Sequence, residues 1–312
     1  MTKEERNKLI CDKMTYHVKY LLEKTDYEVV CVILQGSQNY GLDEYTDKYQ
    51  SDVDTKAIVL PHFRDFVYGK SPVSTTIILD NNEHIDVKDI RVMFENFRKM
   101  NVSYIELLYS NWIWINPKYY AEVRELLRHR DTIAALNRNQ FIRCIAGMSM
   151  EKRKALCHPY PNLMDKIEKY GYDGKQLSHC VRLFEFLERY LCGYRLEDCY
   201  VSEMPERLIN YKKQLTDDGL RTLTKEEAIK LCETYDEATK TLKDASLTEK
   251  DEINQEAIDI LNKIKYDILK QKFICDIYEE EESQQEKEER ESWNEFLASM
   301  KEDKWKWKTK VC

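Results

Sequence analysis

Glycine and proline are scarce in this chain of 312 residues, with eight and six copies. A chain so short of turn formers is not built from many short strands, and helices are expected to outweigh them. No stretch approaches the ~20 uninterrupted apolar residues that cross a bilayer, so no membrane partner is expected. Behind Met1-Thr2-Lys3-Glu4-Glu5-Arg6 there is no apolar core, which predicts no secretory signal. The ten cysteines form no CxxC pair, and Cys192 and Cys199, close in sequence, lack the remaining ligands of a zinc set. Free thiols in a reducing, cytoplasmic setting are the expectation. Ser-His-Asp and Cys-His nucleophile systems find no local support either.

Apolar residues make up 42% and charged residues 34%, a globular profile long enough for one large domain or two ordinary ones. The formal net charge of −8 argues against broad adhesion to nucleic acid. The average hides an asymmetry. Residues 279–291 are mostly acidic, whereas 128–154 carry Arg128, Arg130, Arg138, Arg143, Lys152, Arg153 and Lys154 against few acids. That basic stretch is a candidate guide for a nucleic-acid acceptor, with solvated helix faces as the ordinary alternative.

Leu9, Ile10, Met14, His17, Val18, Leu21 and Leu22 recur at helical spacing and predict a helix over 4–22. Val29 to Leu34 is a short, β-branched apolar run, the mark of a buried strand. Residues 55–60 repeat that character, and 75–79 and 84–87 supply two weaker strands, with Pro61, Gly69 and Pro72 punctuating the loops. Beyond about Pro117 the texture turns helical, over 119–128, 132–156, 175–192 and 251–278; in the last, Ile253, Ala257, Ile260, Leu261, Ile264, Ile268 and Ile274 form an apolar stripe. The predicted class is α+β: a small mixed-sheet domain over 1–118, a mostly helical domain over 119–278 that closes a cleft against it, and a charged extension over 279–312 bearing Trp293, Trp305 and Trp307.

Two features sit at the ends of adjacent predicted strands. Gln35-Gly36-Ser37 follows the first, where a Gly-Ser turn can direct backbone N–H groups and a hydroxyl at phosphate oxygens, although such a turn is usually only a turn. Ser51-Asp52-Val53-Asp54 opens the next. Alternation puts Asp52 and Asp54 on one face with Val53 inward, their Cα atoms ~7 Å apart. Carboxylates so spaced can converge on two divalent ions ~4 Å apart, the clamp that phosphoryl transfer needs as charge builds on oxygen. With 57 acids in the chain, about ten acid-x-acid triplets arise by chance, so context carries the argument. The context here is an apolar strand behind the pair and a Gly-Ser turn ahead of it. In His84-Ile85-Asp86-Val87-Lys88, Ile85 and Val87 alternate inward and Asp86 outward. If this strand pairs beside that of Asp52, Asp86 completes a three-carboxylate cluster, and such a cluster is costly without a cation between its members.

Gly36-Ser37, then Asp52-x-Asp54, then Asp86 resembles the nucleotidyltransferase superfamily of DNA polymerase beta. The strings 35–42, 51–61 and 83–89 are similar to a bacterial and phage branch of predicted nucleotidyltransferases related to polymerase-beta-like proteins found beside RNA ligases. The likeness covers residues 28–118 well and the helical part more loosely. It implies that Gly36 and Ser37 hold an NTP's triphosphate, that Asp52 and Asp54 bind two magnesium ions (manganese as the alternative), and that Asp86 completes the ion activating the attacking group. It further implies transfer of an NMP to an acceptor hydroxyl with release of pyrophosphate. The acceptor stays open between a nucleic-acid 3′ end such as RNA, a protein side chain and a small metabolite. The chain departs from the compact family pattern at Asp43 to Tyr49, which look like extra loop.

Lys175, His179 and Arg182, at i, i+4 and i+7, share a helix face. In the resembling proteins a similar Lys-His-Arg helix closes over the nucleotide, so these three are candidate triphosphate contacts, as is Lys88 beside Asp86. A plain polar helix face is the alternative. His84 reads as structural, His158 as loop, and Trp112 and Trp114 as core. From another class, the same fold without turnover would be a nucleotide- or partner-binding module.

Overall fold

The structure, a computed structural model, describes residues 1–46, 50–281 and 290–294. It is α+β, with one five-stranded mixed sheet among many helices. The strands are β1 (Glu28–Gln35), β2 (Asp54–Leu60), β3 (Ser74–Ile78), β4 (His84–Asp89) and β5 (Ile113–Ile115). Their order across the sheet is β3-β4-β2-β1-β5. β2 and β4 run parallel, and every other pairing is antiparallel.

Both faces of the sheet are covered, which is why β1 reads as an unbroken apolar run rather than an alternating one. One face is packed by the N-terminal helix Lys3–Lys24. It opens on a reciprocal cap between Thr2 and Glu5 and buries Ile10, Met14, His17, Val18 and Leu21, spaced for a single stripe. Val18 and Leu21 meet Val32, Ala57, Val59 and Ile85, while Ile10 and Met14 meet Leu34, Val53 and Trp112. The other face, through Val30, Ile33 and Ile58, shares one core with helices Ile90–Arg98, Tyr120–Arg128, Arg138–Ala155, Gly174–Leu191 and Gln255–Glu281. That core draws residues from both sides of position 118.

Strand β5 and helices Ile90–Arg98, Pro205–Lys212 and Lys225–Ser246 lie outside the elements expected from sequence. The predicted helix over 132–156 is broken: Asn137 accepts a hydrogen bond from the Gln140 N–H at 2.8 Å and starts a new helix at Arg138. Such a cap competes with helix continuation. In the long helix Gln255–Glu281 the stripe is carried by Ala257, Leu261, Ile264 and Ile268, whereas Ile253, just before it, and Ile274 are exposed. Trp112 and Trp114 are core residues, and His158 lies in a loop. Of the charged extension, 282–289 and 295–312, with Trp305 and Trp307, lie outside the described residues. Among the described residues no helix is long and apolar enough to cross a membrane.

Candidate functional site

The antiparallel β1–β2 ladder ends with Gln35 opposite Asp54, so the Gly36-Ser37 turn falls beside the acidic pair. Gly36 has φ +96° and ψ −154°, a region closed to side chains, and this sharp break lets Ser37 start the short helix Ser37–Tyr40 straight off the strand. Gln38 ties turn to acids: its Nε2 donates to the Asp52 carbonyl at 2.6 Å and to the Tyr45 hydroxyl at 3.2 Å. Its Oε1 is buried with no hydrogen-bond partner.

Asp52 is exposed, Val53 fully buried and Asp54 half-buried, the alternation expected of a strand entrance. Behind them sits a buried polar buttress. Glu83, 1% exposed, accepts the Val53 N–H at 3.1 Å and is bonded by His17 Nε2 at 3.1 Å, Asn81 Nδ2 at 2.8 Å and Lys13. The other nitrogen of His17 lies 2.8 Å from Thr55 Oγ1. Burial alone would raise the Glu83 pKa, but these bonds outweigh it and hold it at about 2. In front, the Asp54 carboxylate accepts the His84 N–H at 2.9 Å, and the His84 ring lies 3.4 Å from it. Burial, with Asp52 nearby, raises the Asp54 pKa against the opposing pull of His84 and Lys175. A carboxylate pair of this kind is under-compensated, and its hard oxygen donors suit magnesium or manganese.

A basic wall faces the acids across a cleft of about 610 Å³. Lys175 and His179 come from helix Gly174–Leu191, and Lys212 from the end of helix Pro205–Lys212. The two segments touch backbone to backbone at Gly174, where a Cβ would fall 2.2 Å from the Tyr211 carbonyl oxygen and 3.2 Å from Gln214 N. Burial lowers the pKa of Lys212, and Lys175 beside it adds to the fall. His179 is held well below its ordinary value by burial first and then by Arg182, Lys152, Lys175 and Lys212, so its imidazole is neutral. Cations crowded this way are poised for a polyanion.

Gly36, Ser37, Asp52, Asp54, Lys175 and His179 all line this one cleft. Asp86, Lys88 and Arg182 do not. Arg182 is 4% exposed and stacks 3.8 Å from the centroid of the ring of Tyr40, which itself lines the cleft and whose hydroxyl donates to buried Glu106. Seven residues advance a helix by ~10 Å, which carries Arg182 out of the cleft lining although it shares a face with Lys175. Asp86 does neighbour the acidic strand through the parallel β2–β4 ladder, but its carboxylate is ion-paired with Lys56 and Lys88. Among the described residues no group of three or more His, Cys, Asp or Glu side chains is arranged to hold a metal ion.

Sequence reading misses Gln38, Glu44, Lys166, Lys212, Lys213 and Gln214, which also line the cleft. Glu44 belongs to the segment read as extra loop. That segment is pinned where it is described: Arg6 grips Asp43 at 2.6 and 2.8 Å, and Ser51 N and Oγ bond the Glu44 backbone at 2.8 and 2.9 Å. Residues 47–49 of it lie outside the described residues. The basic stretch 128–154 is largely committed elsewhere, with Arg128 on Glu125, Arg130 on Glu197, Arg143 on Asp251 and Arg153 on Asp236.

No protein-family profile matches the chain, and no match is found among curated proteins.

Proposed function

We propose that the chain is a metal-dependent nucleotidyltransferase with a polymerase-beta-like arrangement of its sheet, moving an NMP from an NTP to an acceptor hydroxyl with release of pyrophosphate. The observation that carries this reading is the pairing of walls: Asp52 and Asp54 face Lys175, His179 and Lys212 across a cleft floored by the Gly36-Ser37 turn. Its volume falls within the ~300–1,000 Å³ usual for small-molecule sites. Asp52 and Asp54 would hold magnesium, which when bound supplies charge neutralisation at the reacting phosphate. Lys175 and Lys212 would neutralise the phosphates leaving as pyrophosphate. Ser37 and the backbone at Gly36 would orient the triphosphate, and the buttress at Glu83 would keep the carboxylates from swinging away.

The acceptor is a nucleic-acid 3′ end, a protein or a small molecule. The ion pairs along 128–154 favour the latter two, and salt-dependent retention on RNA distinguishes the first. A second reading, a nucleotide-binding module without turnover, is favoured by the engagement of Asp86 with Lys56 and Lys88.

The test is to incubate the protein with magnesium and each NTP labelled at the α-phosphate, alongside Asp52→Asn and Asp54→Asn. The expected result is transfer and pyrophosphate release by the wild type and a loss of at least ~100-fold in each variant. Equal turnover in all three sinks the enzymatic reading. Binding of NTP without pyrophosphate from any acceptor class selects the module.

A further inference from the structure

Asp86, on the strand beside that of Asp54 though outside the cleft lining, is the carboxylate expected to call for a second divalent ion, yet a cation already holds it. Lys56 lies two residues after Asp54 on β2, so its side chain leaves the same face of the sheet. Its register partner in the parallel ladder is Asp86. The Lys56 ammonium is ion-paired with Asp86 Oδ2, Lys88 Nζ lies 2.7 Å from Oδ1, and Thr76 Oγ1 lies 3.4 Å from the same Oδ1. Lys56 is 4% exposed and sits 4.5 Å from the centroid of the Tyr104 ring; burial lowers its pKa, against the opposing pull of Asp86 first and of Glu106. It is a fixed internal charge rather than a surface lysine that swings into water.

We infer that the Lys56 ammonium takes the place of a second metal ion, so that the chain binds one divalent cation, at Asp52 and Asp54, while Asp86 serves as counter-ion to Lys56. The inference rests on the proposed reading for the ion at Asp52 and Asp54. An ion approaching Asp86 would meet two ammonium groups already bonded to both carboxylate oxygens, and like charges at that range repel. Asp86 thereby acts as a positioning residue for Lys56 and contributes no metal ligand.

The full-length chain is titrated with Mn²⁺ alone, and free ion is counted by electron paramagnetic resonance. The expected count is one per chain in the wild type, none in the Asp52→Asn/Asp54→Asn double variant, one in Asp86→Asn, and two in Lys56→Met/Lys88→Met, where Asp86 loses both of its ammonium partners. Two ions in the wild type falling to one in Asp86→Asn overturn the inference while leaving the Asp52–Asp54 site standing. One ion in a folded Lys56→Met/Lys88→Met also overturns the role given to the ammonium groups at Asp86. No bound ion in the wild type removes the Asp52–Asp54 site itself, and the inference with it. If Lys56→Met/Lys88→Met fails to fold, Lys56→Met/Asp86→Leu replaces the Lys56–Asp86 pair by an apolar one of similar volume. Its count must then stay at one.

Discussion

Glu83 accepts the backbone N–H of Val53, the residue that separates Asp52 from Asp54, at 3.1 Å. One buried carboxylate therefore braces the residue between an exposed carboxylate and a half-buried one. With its pKa at about 2 against an ordinary 4.5, Glu83 is deprotonated more readily when folded than when unfolded. Its contribution is full above pH ~4.5 and is lost as pH falls through about 2, because the unfolded chain takes up the proton first; the difference is on the order of 3 kcal/mol. Glu83→Gln is expected to flatten the acid side of the stability curve between those values. Urea midpoints of both proteins across that range check it, and parallel curves would refute it.

Gly174→Ala is expected to cost about 3 kcal/mol or more, because its Cβ meets backbone atoms that cannot step aside. Lys212 and Gln214 would be pushed off the cleft with it. Gly36→Ala meets only Gln38 Oε1, at an ordinary 3.9 Å, and is strained by its positive φ, for a loss of about 1–3 kcal/mol. Gly147→Ala, inside helix Arg138–Ala155 with nothing within 4 Å, is expected to stabilise by about 0.5–1 kcal/mol. Chemical denaturation of the three orders them.

Gln214 lines the cleft in a left-handed conformation, φ +59°, while 6% exposed. Among the described residues its side-chain amide makes no hydrogen bond, although its carbonyl accepts from Leu223 N at 2.8 Å. A strained backbone presenting an unused amide into a cleft is the pattern of a ligand contact. Gln214→Gly should relieve the strain and gain about 1 kcal/mol while weakening ATP binding. Calorimetric titration with ATP and magnesium, set beside the denaturation midpoint, measures both. A variant that gains stability with unchanged affinity would leave Gln214 without a ligand role.

The neutral state of His179 is set by burial and by four neighbouring cations. A polyphosphate among those cations cancels their field, so the imidazole pKa rises and a proton is taken up on binding. Near pH 6, tripolyphosphate titrated in buffers of different ionisation enthalpy should show more proton uptake by the wild type than by His179→Asn, the difference isolating the imidazole from the ligand's own ionisation. Folding has the matching sign: the unfolded imidazole protonates first, so this residue's contribution declines as pH drops below about 6.5.

The acidic wall is legible in the sequence because it is local. Asp52 and Asp54 stand two residues apart at the entrance to β2 and both line the cleft, although only Asp54 lies in the strand, and Gly36 announces a turn by its residue type. The basic wall is only half legible. Lys175 and His179 follow from one helical period, but Lys212 and Gln214 reach the cleft through a contact between segments almost forty residues apart, which leaves no periodic trace. Asp86 shows the limit from the other side. Its strand pairing and outward face are readable, whereas its bonding to Lys56 depends on register across two strands. The capping box of Thr224 and Glu227 was a sequence signal available for helix Lys225–Ser246.

Helix Gly174–Leu191, which carries Lys175 and His179, is rooted in the same apolar core as β1 and β2, which carry the turn and the carboxylates. If that shared core holds the two walls at one separation, a molecule is selected by whether it fits between opposite charges at a set distance. Enlarging a core residue far from the cleft, such as Ile142 beneath that helix, would then alter the gap and the selection together, with no change to any residue that touches the guest.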